Sequence, residues 1–210
     1  ETIIHERAII KPNVKVWPGK EIDQAAEVNS NLIWGSRYIR NVFGSRGITG
    51  EINVDFTPEF TSKLGTAFGT QLARNSKIGV SCDDANASMM LKTSLIAGIL
   101  SSGATVFDMG ILILPVAREA IRFNGFDGGI HIAVDKNNRS RLLIDFMDEN
   151  GVNISRDMER KIQNTFIRED FSRISSDCIP RICRTVDYKP FYVRNLINSF
   201  GKRKLKYKVL

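Results

Sequence analysis

The chain has 210 residues, of which 42% are hydrophobic and 25% are charged. This length supports one sizeable core or two modest ones, and the composition excludes an intrinsically disordered chain. The most apolar stretch, residues 111–117, is interrupted by Pro115 and is far shorter than the ~20 residues of a membrane helix, so we expect no membrane partner. Three irregularly spaced cysteines predict no disulfide framework and a cytoplasmic location.

The formal net charge of +7 is concentrated near the C-terminus. No acidic residue follows Asp187, whereas residues 188–210 contain seven lysines and arginines. A nucleic-acid-binding face normally also shows interleaved aromatics or a recognition helix, and we find no such pattern. We therefore interpret the basic end as a solvated turn leading into a strand and expect no nucleic-acid partner. A polyanion-binding patch is the alternative.

Near the N-terminus, large apolar residues recur at steps of six. The series is Ile4, Ile10, Val16, Ile22, Val28 and Trp34. Neither a helix nor a strand has this period, whereas a β-helix that places one hexapeptide on each flat side does. We predict the end of a left-handed hexapeptide β-helix over residues 1–41, with a chance pattern in a loop as the alternative. The segment is too short to stand alone, and the chain opens without Met or a leader, so we interpret its start as a cut edge.

From residue 42 onward, strand and helix patterns alternate. The predicted elements, in chain order, are a glycine-rich strand and turn over 44–50, a helix capped by Thr57, a strand over 77–81, a helix over 88–102, a strand over 105–108, a helix over 114–124, strands over 129–134 and 141–148, and helices over 155–167 and 189–200. Pro58 after Thr57 is typical of a first helical turn. This alternation predicts a mostly parallel sheet covered by helices, with Met89 and Met90 of the second helix filling the core.

Several segments resemble one enzyme family. They read FGSRGITG at 43–50, TPEF at 57–60, MLKTSLIAG at 90–98, VFDMG at 106–110 and DGGI at 127–130. Together they resemble domain I of the α-D-phosphohexomutases, the phosphomannomutase and phosphoglucomutase family. The resemblance implies a three-layer α/β/α domain over 42–185, followed by a linker helix and a truncated first strand of domain II over 186–210. The N-terminal repeat placed before it is similar to fusions of a mannose-1-phosphate guanylyltransferase-like domain, a hexapeptide coil and a mutase-like module.

The resemblance also implies a site, which this chain has altered. Family mutases move phosphate between O1 and O6 of a hexose through a phosphoserine, with a magnesium ion whose loop lies in a later domain and is absent here. At the matching positions this chain has Asp135 for the phosphoserine, Lys136 for the loop histidine and Asp145 for the acid/base lysine. Cys82 and Ala85 replace two arginines, and Thr49 replaces a phosphate-binding arginine.

We therefore expect a degenerate, inactive domain with a structural, regulatory or sugar-phosphate-binding role. Expected partners are a hexose phosphate, the rest of the fusion protein and, as a further possibility, a second copy. The alternative is a working mutase that uses Asp135 or Ser140. Backbone amides of the loop around Gly44, Gly47 and Gly50 could bind phosphate, although this signal is weak alone.

Other candidate sites have plainer interpretations. Asp83 and Asp84 could bind a metal but lack a third ligand, so we predict no metal site. His5 and His131 are far apart, and we interpret His131 as a structural histidine in a strand. The two C-terminal cysteines, Cys178 and Cys183, lack the spacing of a zinc or redox pair.

Overall fold

The computed structural model describes residues 2–28, 32, 37–38, 42–44, 47–185 and 187–200. The N-terminal strands are β1 (Ile3–Ile4), β2 (Ile9–Ile10), β3 (Glu21–Ile22), β4 (Glu27–Val28) and β5 (Arg37–Tyr38). Strand β1 pairs in parallel with β3, and β2 with β4, each time with a partner 18 positions later, which is three steps of six. Strand β3 then pairs in parallel with β5 at a shorter offset of 16 positions.

Turns in this segment follow the same period. The backbone enters the left-handed region at Arg7, Asn13, Gly19 and Ala25, which are six residues apart. The six-residue spacing of the sequence is therefore also a spacing of the backbone turns.

Burial along the apolar series is uneven. Ile22 and Val28 are fully buried, whereas Ile4 is 54% exposed. The exposed Ile4 departs from the predicted inward position, because among the described residues no strand pairs with the outer edge of β1. Trp34 lies outside the described residues.

The α/β domain is built on a six-stranded sheet. Its strands are β6 (Ile48–Glu51), β7 (Lys77–Cys82), β8 (Thr105–Ile111), β9 (Gly128–Val134), β10 (Arg141–Asp148) and β11 (Cys183–Arg184), in the order β11-β8-β7-β9-β10-β6. Strands β11, β8, β7 and β9 are mutually parallel, and β10 is antiparallel to both of its neighbours. The sheet is mixed because β9 and β10 are joined by a short hairpin, which only antiparallel strands allow.

Helices cover both faces of this sheet. They are α1 (Pro58–Gln71), α2 (Asn86–Ser101), α3 (Leu114–Asn124), α4 (Arg156–Arg168) and α5 (Lys189–Phe200). Alternate strand residues point to opposite faces, so two cores form. Helices α1, α2 and α4 contribute to the larger core, and α3 covers the smaller one. These layers give the α/β/α arrangement.

Local sequence explains the contact between α1 and α2. Thr57 caps α1 by accepting a hydrogen bond from the Phe60 N–H, as predicted. A Cβ atom added at Gly98 of α2 would overlap the Ser62 carbonyl oxygen of α1. Glycine at this position therefore allows the two backbones to approach.

Two predictions about elements were incomplete. Met90 is 39% exposed, so only Met89 of the pair packs against the core. The poorly patterned connection after α4 contains a short 3₁₀ helix (Ser176–Cys178) and strand β11. Within the described part of the chain, every helix is too short or too polar to cross a membrane.

Candidate functional site

The hairpin loop (residues 135–140) connects β9 to β10 at the edge where β7 and β8 also end. Asp135 is half-buried, and its N–H donates to the Arg141 carbonyl oxygen at 2.9 Å. One oxygen of its carboxylate accepts the Asn137 N–H at 2.8 Å. Ser140 donates its hydroxyl to Asn138 Oδ1 at 2.7 Å. The side chain of Asp135 therefore caps the turn of its own loop.

Three cations lie on or beside this loop. Lys136, Arg139 and Arg141 are exposed, and none of them forms an ion pair with another described residue. Lys136 follows Asp135 in sequence but does not pair with it. The loop therefore presents net positive charge to solvent.

Asp145 lies in a different environment. It is 2% exposed and sits on β10 opposite His131 of β9. The ladder ends at Leu142 and Val134, three residue pairs away, which corresponds to ~10 Å along the strand. Asp145, which the resemblance matches to the family lysine, is thus inside the fold rather than at the tip of the hairpin.

Arg118 of α3 supplies a positive charge beside Asp145. Its Nη2 lies 4.0 Å from Asp145 Oδ1, and its Nη1 donates to the Gly151 carbonyl oxygen at 3.0 Å. Nη2 also donates to Asn153 Oδ1. The guanidinium therefore links α3 to β10 and to the turn that follows β10.

His131 extends this arrangement across the sheet. Ser81, His131 and Asp145 are register partners on adjacent strands, and Ser81 Oγ lies 2.9 Å from His131 Nδ1. Burial lowers the pKa of His131 to about 4; nearby Asp83 opposes this shift, and Arg118 adds to it. The imidazole is therefore neutral at pH 7, which fits a structural histidine. We call Ser81, His131, Asp145 and Arg118 the polar row.

The carboxylate of Asp83 accepts hydrogen bonds from two backbone N–H groups. Oδ2 accepts the Val134 N–H at 2.7 Å, and Oδ1 accepts the Ala85 N–H at 3.1 Å. Asp83 therefore fixes the end of β7 to the start of the hairpin loop. Among the described residues no three His, Cys, Asp or Glu side chains cluster as metal ligands. The family resemblance places the magnesium loop in a later domain, and we derive no chemistry from that ion.

The glycine-rich loop is shaped by its contact with β10. Gly47 has φ +63°, and a Cβ there would overlap the Ile144 carbonyl oxygen. The Gly44 N–H donates to the Gly47 carbonyl oxygen at 2.9 Å. Close packing against β10 therefore explains why position 47 is glycine without a bound ligand. Gly50 is also closely packed, because a Cβ there would come within 2.8 Å of Asp55 Cβ. Ser45 and Arg46 lie outside the described residues.

A partly buried ion pair lies near Cys82, the residue that the resemblance matches to a family arginine. Lys92 Nζ is 2.7 Å from Asp108 Oδ1, which also accepts the Gly110 N–H at 2.9 Å. Burial raises the pKa of the Cys82 thiol, so it remains protonated and is a poor nucleophile. This pair joins α2 to β8 and lends no free charge to the hairpin loop.

The resemblance singled out Asp135, Lys136 and Asp145 as candidates, and the sequence analysis missed Arg118. Arg118 belongs to the amphipathic pattern of α3, and nothing in that pattern distinguishes it from Arg122. Asp83 was considered only as a metal ligand. Its position directly after a buried strand was the available signal for a role in fixing the hairpin loop.

Comparisons with known proteins agree with this fold. The family described as phosphoglucomutase/phosphomannomutase, alpha/beta/alpha domain I, matches residues 40–173. A phosphoglucosamine/phosphogalactosamine mutase of Sulfurisphaera tokodaii is 33% identical over 173 residues, covering 80% of this chain and 38% of that protein. A phosphoglucomutase/phosphomannomutase of Thermococcus kodakarensis is 33% identical over 154 residues, covering 71% and 34%.

A solved structure shares the fold. It is a phosphoglucomutase/phosphomannomutase family protein from Burkholderia thailandensis, with a TM-score of 0.62 and 18% identity, covering 79% of this chain and 36% of that one. The chain thus spans only about a third of the length of these relatives. With its family match over more than half of its length, the chain belongs to the phosphoglucomutase/phosphomannomutase family and contains the α/β/α domain I.

Proposed function

We propose that this domain no longer transfers phosphate and has a structural or regulatory role in a larger protein. The observation that carries the proposal is the placement of Asp145. An active mutase is expected to have a cationic lysine at this position, whereas here a carboxylate is buried beside Arg118. The position now contributes to packing and charge balance within the fold.

Phosphoryl transfer depends on positive charge placed around the transferring oxygens. Cys82 is buried and neutral, Ala85 has no charge, and Asp145 is an acid. Asp135 could form an acyl phosphate only in an activating environment, and its carboxylate instead accepts a hydrogen bond from its own loop. These residues favour loss of the transfer step.

Binding of a hexose phosphate without turnover is compatible with the same loop. Lys136, Arg139 and Arg141 are exposed cations that a phosphate dianion could approach from solvent. The carboxylate of Asp135 adds one negative charge, which opposes the binding of a phosphate to this loop. We include this non-covalent binding in the proposed role.

The N-terminal segment supports a place for this domain in a fusion protein. Strands 18 positions apart pair in parallel, and turns recur every six residues, as in one coil of a hexapeptide β-helix. Ile3, Ile4 and Ile9 are more than half exposed at the outer edge of this coil. We propose that further hexapeptide coils, attached to a guanylyltransferase-like domain, stack on this edge.

A mutase assay tests the proposed loss of transfer. The complete product of the gene is incubated with mannose 1-phosphate or glucose 1-phosphate, a hexose bisphosphate activator and magnesium. We expect no hexose 6-phosphate above the blank. Formation of the 6-phosphate that disappears in Asp135→Ala or Ser140→Ala would establish the alternative, a working mutase.

A binding experiment tests the second part of the role. Mannose 1-phosphate is titrated into the 210-residue chain by calorimetry. Binding should weaken about tenfold when Lys136 and Arg139 are both changed to Ala, because each charge-assisted contact contributes. Lys161→Ala removes an exposed cation on α4 and should have no effect. Equal binding by both variants would contradict phosphate recognition by the hairpin loop.

A further inference from the structure

Ser140 ends the hairpin loop between Arg139 and Arg141, and no other serine in the sequence has a basic residue on both sides. Its carbonyl oxygen accepts the Ile52 N–H at 2.8 Å, and its own N–H donates to Asn138 Oδ1 at 3.0 Å. The exposed hydroxyl donates to the same Asn138 oxygen at 2.7 Å, so the lone pairs of the Ser140 oxygen are not used in this bond. The backbone of Ser140 is therefore held in place, while its nucleophilic oxygen remains accessible.

The surroundings of this serine carry more positive charge than they neutralise. Lys136, Arg139 and Arg141 are exposed, and within the described part of the chain none of them is in an ion pair. Asp135 is the one acidic residue between positions 135 and 141. Glu51 of β6, the register partner of Arg141, adds a second carboxylate nearby. Three cations against two carboxylates still leave a surplus of positive charge.

The hairpin brings one of these cations opposite Ser140. The Asp135 N–H donates to the Arg141 carbonyl oxygen at 2.9 Å, so these two residues face each other across the hairpin. The next pair inward in the loop is Lys136 and Ser140. A phosphate on Ser140 would therefore lie among Lys136 and the two adjacent arginines. Phosphoserine carries about −1.5 to −2 charges at pH 7 and three acceptor oxygens, which such cations bind by charge-assisted hydrogen bonds.

We propose that Ser140 is a phosphorylation site, and that its phosphate occupies the cations of the hairpin loop and closes this loop to hexose phosphates. The donor is a nucleoside triphosphate, used by a protein kinase that accepts serine between basic residues. Ser140 Oγ attacks the γ-phosphorus, the bond from that phosphorus to the β,γ-bridging oxygen breaks, and a nucleoside diphosphate leaves. The hydroxyl proton passes to a base of the kinase. The closing of the loop rests on the proposed binding of hexose phosphate, whereas the modification itself does not.

This site is separate from the phosphoserine that the family resemblance implies. That position is Asp135 here, and its phosphate would be exchanged with a hexose. On Ser140 the phosphate comes from a nucleotide and stays on the chain. It takes up the charge that would otherwise attract a hexose phosphate, and like charges then repel a second phosphate dianion.

Mass spectrometry tests the modification. The protein is purified from growing and from starved cells that produce it naturally, with phosphatase inhibitors present, and the peptide that covers the hairpin loop is sequenced. We expect phosphate on Ser140 in at least one of the two preparations. Residue 140 without phosphate in both preparations would overturn the proposal.

Two chemically defined proteins test the role of the cations. Phosphoserine is incorporated at position 140 or, as the matched control, at position 172 of the 210-residue chain. Ser172 is also exposed and precedes an arginine, but Arg173 donates to Ser101 Oγ at 3.0 Å and lies over the Phe171 ring. In ³¹P NMR the phosphate at 140 should lose its second proton about one pH unit lower than the phosphate at 172. Equal titration would show that the loop cations do not bind the phosphate.

Calorimetry with mannose 1-phosphate tests the closing of the loop. Phosphoserine at 140 should weaken binding at least tenfold relative to the unmodified chain, and phosphoserine at 172 should not. Unchanged thermal unfolding confirms that both proteins retain the fold. Equal binding by all three proteins would overturn the closing of the loop alone. If the unmodified chain binds no mannose 1-phosphate, the proposed hexose phosphate binding fails together with the closing, and the other two measurements decide the modification separately.

Discussion

The hairpin loop and the polar row hold Asp135 and Asp145, which the resemblance matches to the family's phosphoserine and acid/base lysine, and the two carboxylates lie in different surroundings. Asp135 lies half-buried on a solvent-facing loop, where its carboxylate accepts a hydrogen bond from the backbone of the same loop. Asp145 lies inside the fold, on the same face of the sheet as His131 and beside Arg118. We therefore expect a substitution at the loop carboxylate to have little effect on stability, whereas a substitution at the buried strand carboxylate alters the core.

Restoring the family lysine at position 145 should have the largest effect. Asp145→Lys places a buried cation beside the partly exposed Arg118 and removes its acidic partner, so we expect a loss of about 4 kcal/mol in the free energy of unfolding. Urea denaturation measures this value. Glu149→Lys makes the same charge change at an exposed position and should cost less than about 0.5 kcal/mol. A small effect at both positions would show that the polar row is not structural.

The pH dependence of stability should reveal the neutral His131. Its pKa is about 4 in the folded chain, against 6.5 for an unperturbed histidine, so the unfolded chain binds a proton first as pH falls. The contribution of the neutral His131 to the free energy of unfolding is fully present above pH 6.5. It decreases by about 3 kcal/mol as the pH falls to 4. His131→Gln should flatten the stability profile in that window.

Asp83 connects the two regions, and its removal should have an intermediate effect. Asp83→Ala leaves the Val134 and Ala85 N–H groups without their carboxylate acceptor, which should cost about 2 kcal/mol. Hydrogen exchange should also show faster exchange of the Val134 amide. The neighbouring exposed Asp84, changed to Ala, is the matched control. Equal exchange rates of the Val134 amide in the two variants would show that Asp83 does not fix the hairpin loop.

Restoring the family serine should have the smallest effect. In Asp135→Ser the hydroxyl can still accept the Asn137 N–H, so we expect a change of about 0.5 kcal/mol. Thermal unfolding measures it. A loss as large as that of Asp145→Lys would contradict the distinction between loop and strand positions.

Strong local signals made several elements predictable. Helix α3 has its predicted bounds because Pro115 lies at its start and Gly125 adopts a left-handed conformation at its end. Strand β10 ends, as predicted, before the Asn150-Gly151 turn. Strand β11 has only two residues and forms by pairing with the edge of β8, so its own sequence carries no comparable signal.

The candidate site was predictable only in part. Resemblance located Asp135 and Asp145, because aligned positions carry over without knowledge of contacts. The partnership of Asp145 with Arg118 could not be predicted, because it depends on how α3 lies against β10. Alternation predicted the parallel pairs among β11, β8, β7 and β9, and the antiparallel direction of β10 follows from the length of the hairpin.

The repeating turns of the N-terminal segment determine which changes in chain length it can accommodate. Because Arg7, Asn13, Gly19 and Ala25 occur once per step, inserting a single residue between Ile4 and Ile22 would move every later side chain out of phase with the strand beneath it. Gain or loss of six residues would preserve that phase. Over evolutionary time, this part of the gene should therefore lengthen or shorten in multiples of eighteen nucleotides, while the surface loops of the α/β domain can vary one codon at a time.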